Sequence, residues 1–146
     1  MVSKLIMRKS DYERILAHAK GGLPNEMCGL LFGTVDGEGA QATGRVEHVY
    51  LLTNTDASNE HFSMDPKEQL AAVKDARANG WEQLGNWHSH PETPARPSVE
   101  DKQLAYDSST CYLILSLEDA AHPALNAYRI QRDGFSPRVR LDVVEG

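Results

Sequence analysis

Cysteine is scarce in this chain. Cys28 and Cys111 are the only two among 146 residues, and neither has a Cys-x-x-Cys partner. That excludes a cysteine-built structural zinc knuckle, and in a reducing compartment both thiols are expected to be free. Long apolar runs are missing as well. No stretch approaches the roughly 18 residues that a membrane-spanning helix needs, and residues 1–10 lack the apolar segment of a signal peptide. The expectation is a cytoplasmic protein with no membrane partner. Positive charge is the third deficit. Lys and Arg number 15 against 21 Asp and Glu, a net charge of −6. No Lys/Arg cluster occurs, and Arg138 with Arg140 is too small a basic patch to hold a phosphate backbone. Nucleic acid is therefore not expected as a partner.

What is present reads as an ordinary globular mixture, 40% hydrophobic and 25% charged. The length suits one domain over 1–146, since a chain near this size buries about 68–70% of its unfolded surface. Residues 9–20 read as a helix, with Ser10 and Glu13 as a capping box and Tyr12, Ile15, Leu16 and Ala19 as its apolar stripe. Residues 27–35 are almost wholly apolar, as suits a strand buried on both faces. Residues 45–52 form a second strand, expected to pair with it as a hairpin, and 53–59 a polar loop. Asp65-Pro66 opens a second helix with Leu70, Val73 and Ala76 facing inward and Gly80 at its end. Residues 81–88 are a strand. Pro91, Pro94 and Pro97 keep 91–97 irregular, and a helix runs from Ser98 to about 107. Strands follow at 110–117, 126–131 and 138–144. The order α-β-β-α-β-α-β-β-β predicts a mixed α/β (α+β) fold, a β-sheet flanked by helices.

Chemistry centres on His88-Ser89-His90. On a strand, residues i and i+2 point to one face, so the two imidazoles can clamp a metal. Asp101 follows His90 after ten intervening residues. Two histidines and one aspartate leave a tetrahedral zinc one open position, the arrangement of a catalytic rather than a structural site. Ser98-x-x-Asp101 is also a helix-start pattern. His18, His48, His61 and His122 lack ligand partners at useful spacing and are read as structural.

His-Ser-His-Pro (88–91), Pro-Ser-x-x-Asp (97–101) and the upstream Pro24-Asn25-Glu26-Met27-Cys28-Gly29 resemble the JAMM motif of the MPN-plus metalloproteases, with no departure at any motif position. The resemblance extends over most of the chain. It implies a fold similar to cytidine deaminases, and one Zn2+ held by His88, His90 and Asp101. Glu26 would act as general base and Ser98 would help stabilise the oxyanion. The Pro-Cys-x-x-Cys ligand pair of the deaminases themselves is absent. Asn86, Trp87 and Cys28 are candidates for the substrate side, although Cys28 and Trp87 also read as core.

The same resemblance implies hydrolysis of a peptide or isopeptide bond after the C-terminal Gly-Gly of a ubiquitin-like protein. The short chain has no room for the inserts that grip polyubiquitin, so it is similar to compact prokaryotic members that process sulfur-carrier proteins. An extended substrate tail is expected to add as a strand at a sheet edge near the metal. True ubiquitin conjugates as substrate, or a non-catalytic binding module of the same fold, are the alternatives. Homodimer formation is left open.

Overall fold

The apolar run after Met27 becomes a strand, Cys28–Asp36, whose first six residues are buried. This is what a strand covered on both faces requires. It lies within the chain order β1 (Val2–Arg8), α1 (Lys9–Gly21), β2 (Cys28–Asp36), β3 (Ala42–Leu52), α2 (Pro66–Ala78), β4 (Glu82–His90), α3 (Val99–Leu104), β5 (Cys111–Ser116), β6 (Ala124–Tyr128) and β7 (Arg138–Val144). One 3-10 turn spans Gly39–Gln41. This computed structural model describes residues 2–105 and 107–146. The mixed sheet and its helices match the expected class. β2 and β3 form the expected antiparallel hairpin.

Several features differ from expectation. Residues 2–8 form a strand, and the sheet closes into a barrel in the order β1-β3-β2-β4-β5-β6-β7. β1 pairs in parallel with both β3 and β7, so the two sheet ends meet on it. The pattern within 2–8 is weak because only Val2, Leu5 and Met7 are buried. Partners about forty and more than a hundred residues away make it a strand. The Ser10/Glu13 capping box is also absent. α1 follows directly from β1, its N-cap is Arg8, and no side chain caps it. At α2 the expected cap is present, with Asp65 accepting from the Lys67 and Glu68 N–H groups. Its buried face is Ala72 and Ala76, while Leu70 is exposed. Small side chains there let the helix approach β2 closely.

Three apolar clusters position the site. The barrel interior draws on every strand, including Leu5, Leu31, Val49, Trp87, Leu113, Ala127 and Val139, and α1 adds Ile15 and Ala19. On the outer face, Cys28, Leu30, Phe32 and Leu52 pack under α2. Further round that face, Ala95 from the proline-rich loop packs on Ile114 of β5 and Tyr128 of β6. The outer face of β4 lies between the α2 cover and this loop.

Glycines permit the close packing behind it. A Cβ at Gly29 would collide with the Tyr50 carbonyl and the Trp87 indole, and one at Gly85 with the Cys111 carbonyl. β4 is bonded to β2 on one side and β5 on the other. The strand that carries the histidines has no free edge for an added substrate strand. Among the described residues, no helix is long and apolar enough to cross a membrane.

Candidate functional site

Alternation along β4 turns Trp87 into the barrel and His88 and His90 outward, both nearly inaccessible. Their Nε2 atoms are 3.0 Å apart. Asp101, in the first turn of α3, places Oδ1 at 3.2 Å from His88 Nε2 and Oδ2 at 3.0 Å from His90 Nε2. The three side chains expected from sequence as a metal set are thus brought together, with one ligand atom from each lying within 4.8 Å of the others. α3 is held to this task by its cap. The Ser98 hydroxyl accepts from the Asp101 N–H at 3.0 Å, and Asp101 Oδ2 accepts from the Ser98 N–H at 2.9 Å. The carboxylate that closes the capping box is also the one that faces the histidines.

Proton bookkeeping shows that this set suits a cation. His90 Nδ1 lies 2.8 Å from the Pro94 carbonyl oxygen, which can only accept, so Nδ1 carries the proton. Nε2 of the neutral ring then offers a lone pair toward another acceptor, Asp101 Oδ2. Such a meeting of acceptors is stable only around an extra proton or a metal ion. The electrostatics agree. Burial opposes charge on His90, but the hydrogen bonds to Asp101 and to the Pro94 carbonyl outweigh it and raise its pKa. Burial also opposes the Asp101 carboxylate, yet hydrogen bonds to His88 and His90 hold it far below the usual range. Two imidazole nitrogens and one carboxylate oxygen form a donor set that zinc takes, with a fourth position to spare.

The loop that supplies Pro94 is braced from the barrel. Ser116 donates to the Thr93 carbonyl at 2.6 Å, and Asn126 and Tyr128 donate to the Ala95 carbonyl at 3.0 and 2.7 Å. On the other flank Phe62 stacks on the His88 ring, with centroids 4.8 Å apart.

Glu26 arrives from the segment before β2, within electrostatic reach of His90 and Asp101. Its N–H donates to the Ser58 carbonyl at 2.7 Å, and its carbonyl accepts from Asn54 Nδ2 at 2.9 Å. The next N–H, that of Met27, donates to the Ser89 hydroxyl at 2.8 Å. Glu26 is 4% exposed and its buried Oε1 has no partner. Burial pushes its pKa up to about 8, with His90 pulling down and Asp101 pushing up. A carboxyl group with a pKa near neutrality is suited to both taking and giving a proton.

A cavity of about 320 Å³ runs from His88 and Asp101 back along β4, lined also by Phe62, Met64, Asn86 and Tyr112. Asn86, a sequence candidate for the substrate side, is on this wall. Trp87 is not. It is wholly buried and donates from Nε1 to the Tyr50 carbonyl, because one step along the strand reverses the face. Cys28 shares the outer face with its cross-strand neighbour His88 but is sealed beneath α2, and burial pushes its thiol up to about 12. Both are core residues. Ser98 is exposed at the rim.

His18 bonds the Leu52 carbonyl, His48 stacks on Trp81, and His122 is exposed beside Asp119, all apart from the cluster. Sequence reasoning missed Asn54, Phe62 and Pro94 as parts of the site. Each acts through a carbonyl, an amide or a ring face, for which spacing carries no signal.

The profile of the prokaryotic homologs of the JAB domain matches residues 8–131. The CysO-cysteine peptidase of Mycobacterium tuberculosis is 30% identical over 97% of this chain and 92% of its own length. The desampylase of Haloferax volcanii is 30% identical over 78% and 81%. A solution structure from Desulfitobacterium hafniense superposes with a TM-score of 0.87 at 51% identity, covering 97% of this chain and 94% of that one. A JAB1/MPN domain protein of Archaeoglobus fulgidus superposes at 0.58 with 25% identity, covering 97% and 99%.

Proposed function

The chain belongs to the family of prokaryotic homologs of the JAB domain, and from that premise we propose that it is a zinc-dependent peptidase. Its substrate is a ubiquitin-like or sulfur-carrier protein, cut after a C-terminal Gly-Gly. The observation that carries this reading is the convergence of His88, His90 and Asp101 beside the partnerless buried carboxyl of Glu26. The similarity to a CysO-cysteine peptidase and a desampylase supports the substrate class.

His88, His90 and Asp101 would hold the zinc, which would supply a Lewis acid and lower the pKa of water at the site. The chain's own groups do the rest. Glu26 takes a proton from the attacking water and returns it to the leaving amine, for which its buried position and raised pKa suit it. Ser98 uses its oxygen to accept from the Asp101 N–H. Its hydroxyl hydrogen stays free to donate to a carbonyl oxygen gaining charge, a donor typically worth about 2.7–4 kcal/mol. Asn86 meets the substrate on the cavity wall. The tail lies against the outer face of β4, since both edges of that strand are paired.

The test is a panel of Gly-Gly-linked adducts of sulfur carriers and of ubiquitin. It is presented to zinc-loaded protein, with Glu26→Gln as control. Cleavage directly after the second glycine is expected for at least one carrier adduct and lost in the control. Failure on every member would refute the substrate class.

A further inference from the structure

Asn54 is buried in the loop between β3 and α2 and uses its whole hydrogen-bonding capacity. Nδ2 donates to the Glu26 carbonyl at 2.9 Å and to the His61 carbonyl at 3.0 Å. Oδ1 accepts from the N–H groups of Asp56 at 3.0 Å and Ser63 at 3.1 Å. Two carbonyls on one side and two N–H groups on the other fix the orientation of the amide without ambiguity. The side chain thus ties two segments together, the first of them also held by β4 through the bonds between Met27 and Ser89. The first is the main chain of Glu26. The other is the 55–63 loop, which receives the Glu26 N–H on Ser58 and lays Phe62 on the His88 ring. An isolated β-bridge between Asn54 and Met64 closes the same loop.

We propose that Asn54 is a positioning residue for Glu26. Touching neither metal ligand nor cavity, it fixes where the carboxyl group stands and so governs turnover rather than metal retention. The role of Glu26 rests on the proposed function, but its placement by Asn54 does not. The donor half of the amide holds Glu26 and the His61 carbonyl, while the acceptor half holds the loop at Asp56 and Ser63, so the hold on Glu26 can be removed while two of the three loop bonds remain. Replacement by a carboxylate keeps the acceptors and removes the donors.

The experiment compares wild type, Asn54→Asp and Asn54→Ala, each zinc-loaded, the first substitution serving if the second does not fold. Asn54→Asp is expected to keep its zinc content and KM. It loses about a hundredfold in kcat, the cost of misplacing a reacting group by roughly 1 Å. Hydrogen exchange of the Glu26 and Met27 amides, both bonded in the wild type, is expected to quicken in the variant while amides of the barrel stay protected. Unchanged protection at both amides in Asn54→Asp overturns the proposal, as does a kcat per folded molecule within twofold of wild type. If wild type cleaves no adduct, the proposed function fails, and the exchange measurement still decides the role of Asn54.

Discussion

Glu26 shows most plainly how burial is converted into chemistry. Its carboxyl group is raised from the ordinary 4.5 to about 8 chiefly by burial. The native state therefore keeps a proton that the unfolded chain releases between those two values. Stability of metal-stripped protein must fall as pH rises through this window, because the folded state there binds more protons than the unfolded one. Glu26→Gln lacks this penalty. Metal-stripped Glu26→Gln is expected to melt several degrees above wild type at pH 8, and the gap should close toward pH 4.5. A gap of the same size at both pH values would mean that Glu26 is not the group responsible. In the loaded protein the same change should leave zinc in place and reduce turnover by about 10²–10⁴-fold, the usual worth of a general base. Trp87 makes the opposite case. As a fully enclosed interior side chain, its replacement by alanine should cost about 3–5 kcal/mol in urea unfolding.

At the scale of elements, α3 depends on its cap more than any other helix. It has six residues, none of them buried, and a complete capping box. Losing a Ser N-cap costs a helix about 1 kcal/mol, and here no packing face makes up the loss. Ser98→Ala should therefore release Asp101 and weaken zinc retention in a chelator competition, with little change in the melting temperature of the metal-stripped protein. Ser98→Thr should restore retention. How legible each element was in sequence follows from the range of its contacts. The Ser98 cap and the Asp65-Pro66 helix start are set by neighbours within a few residues, and the histidine strand, though paired with distant β2 and β5, shows its alternation along its own length. β1 is set by pairing with β3 and β7, and the inner face of α2 by the alanines that allow close approach. The substitution of Arg8 for the expected Ser10 cap reflects the direct passage from β1 into α1. At the site, ligand types and spacing were readable. The carbonyl of Pro94, the amide of Asn54 and the ring of Phe62 were not, because main-chain groups and ring faces belong to every sequence.

For the whole molecule, the closed barrel separates folding from metal binding. The His88, His90 and Asp101 cluster lies at the outer face of β4, whereas the largest apolar cluster fills the interior. A chelator should thus leave a folded protein that unfolds in one cooperative transition. Its stability should fall only by the linkage of binding, about 2.7–4.1 kcal/mol if zinc was present at 100 to 1,000 times its Kd. Collapse of far-UV dichroism on chelation would contradict this and make the metal structural. The reversal of face along β4 has an optical consequence too. The Trp87 indole is enclosed one residue away from His88, which faces the other way, so in a Trp81→Phe background its emission should be blue-shifted and deaf to events at the site. It turns red only when the barrel opens. The chain carries its own fluorescent gauge of folding, set against the back of its chemistry.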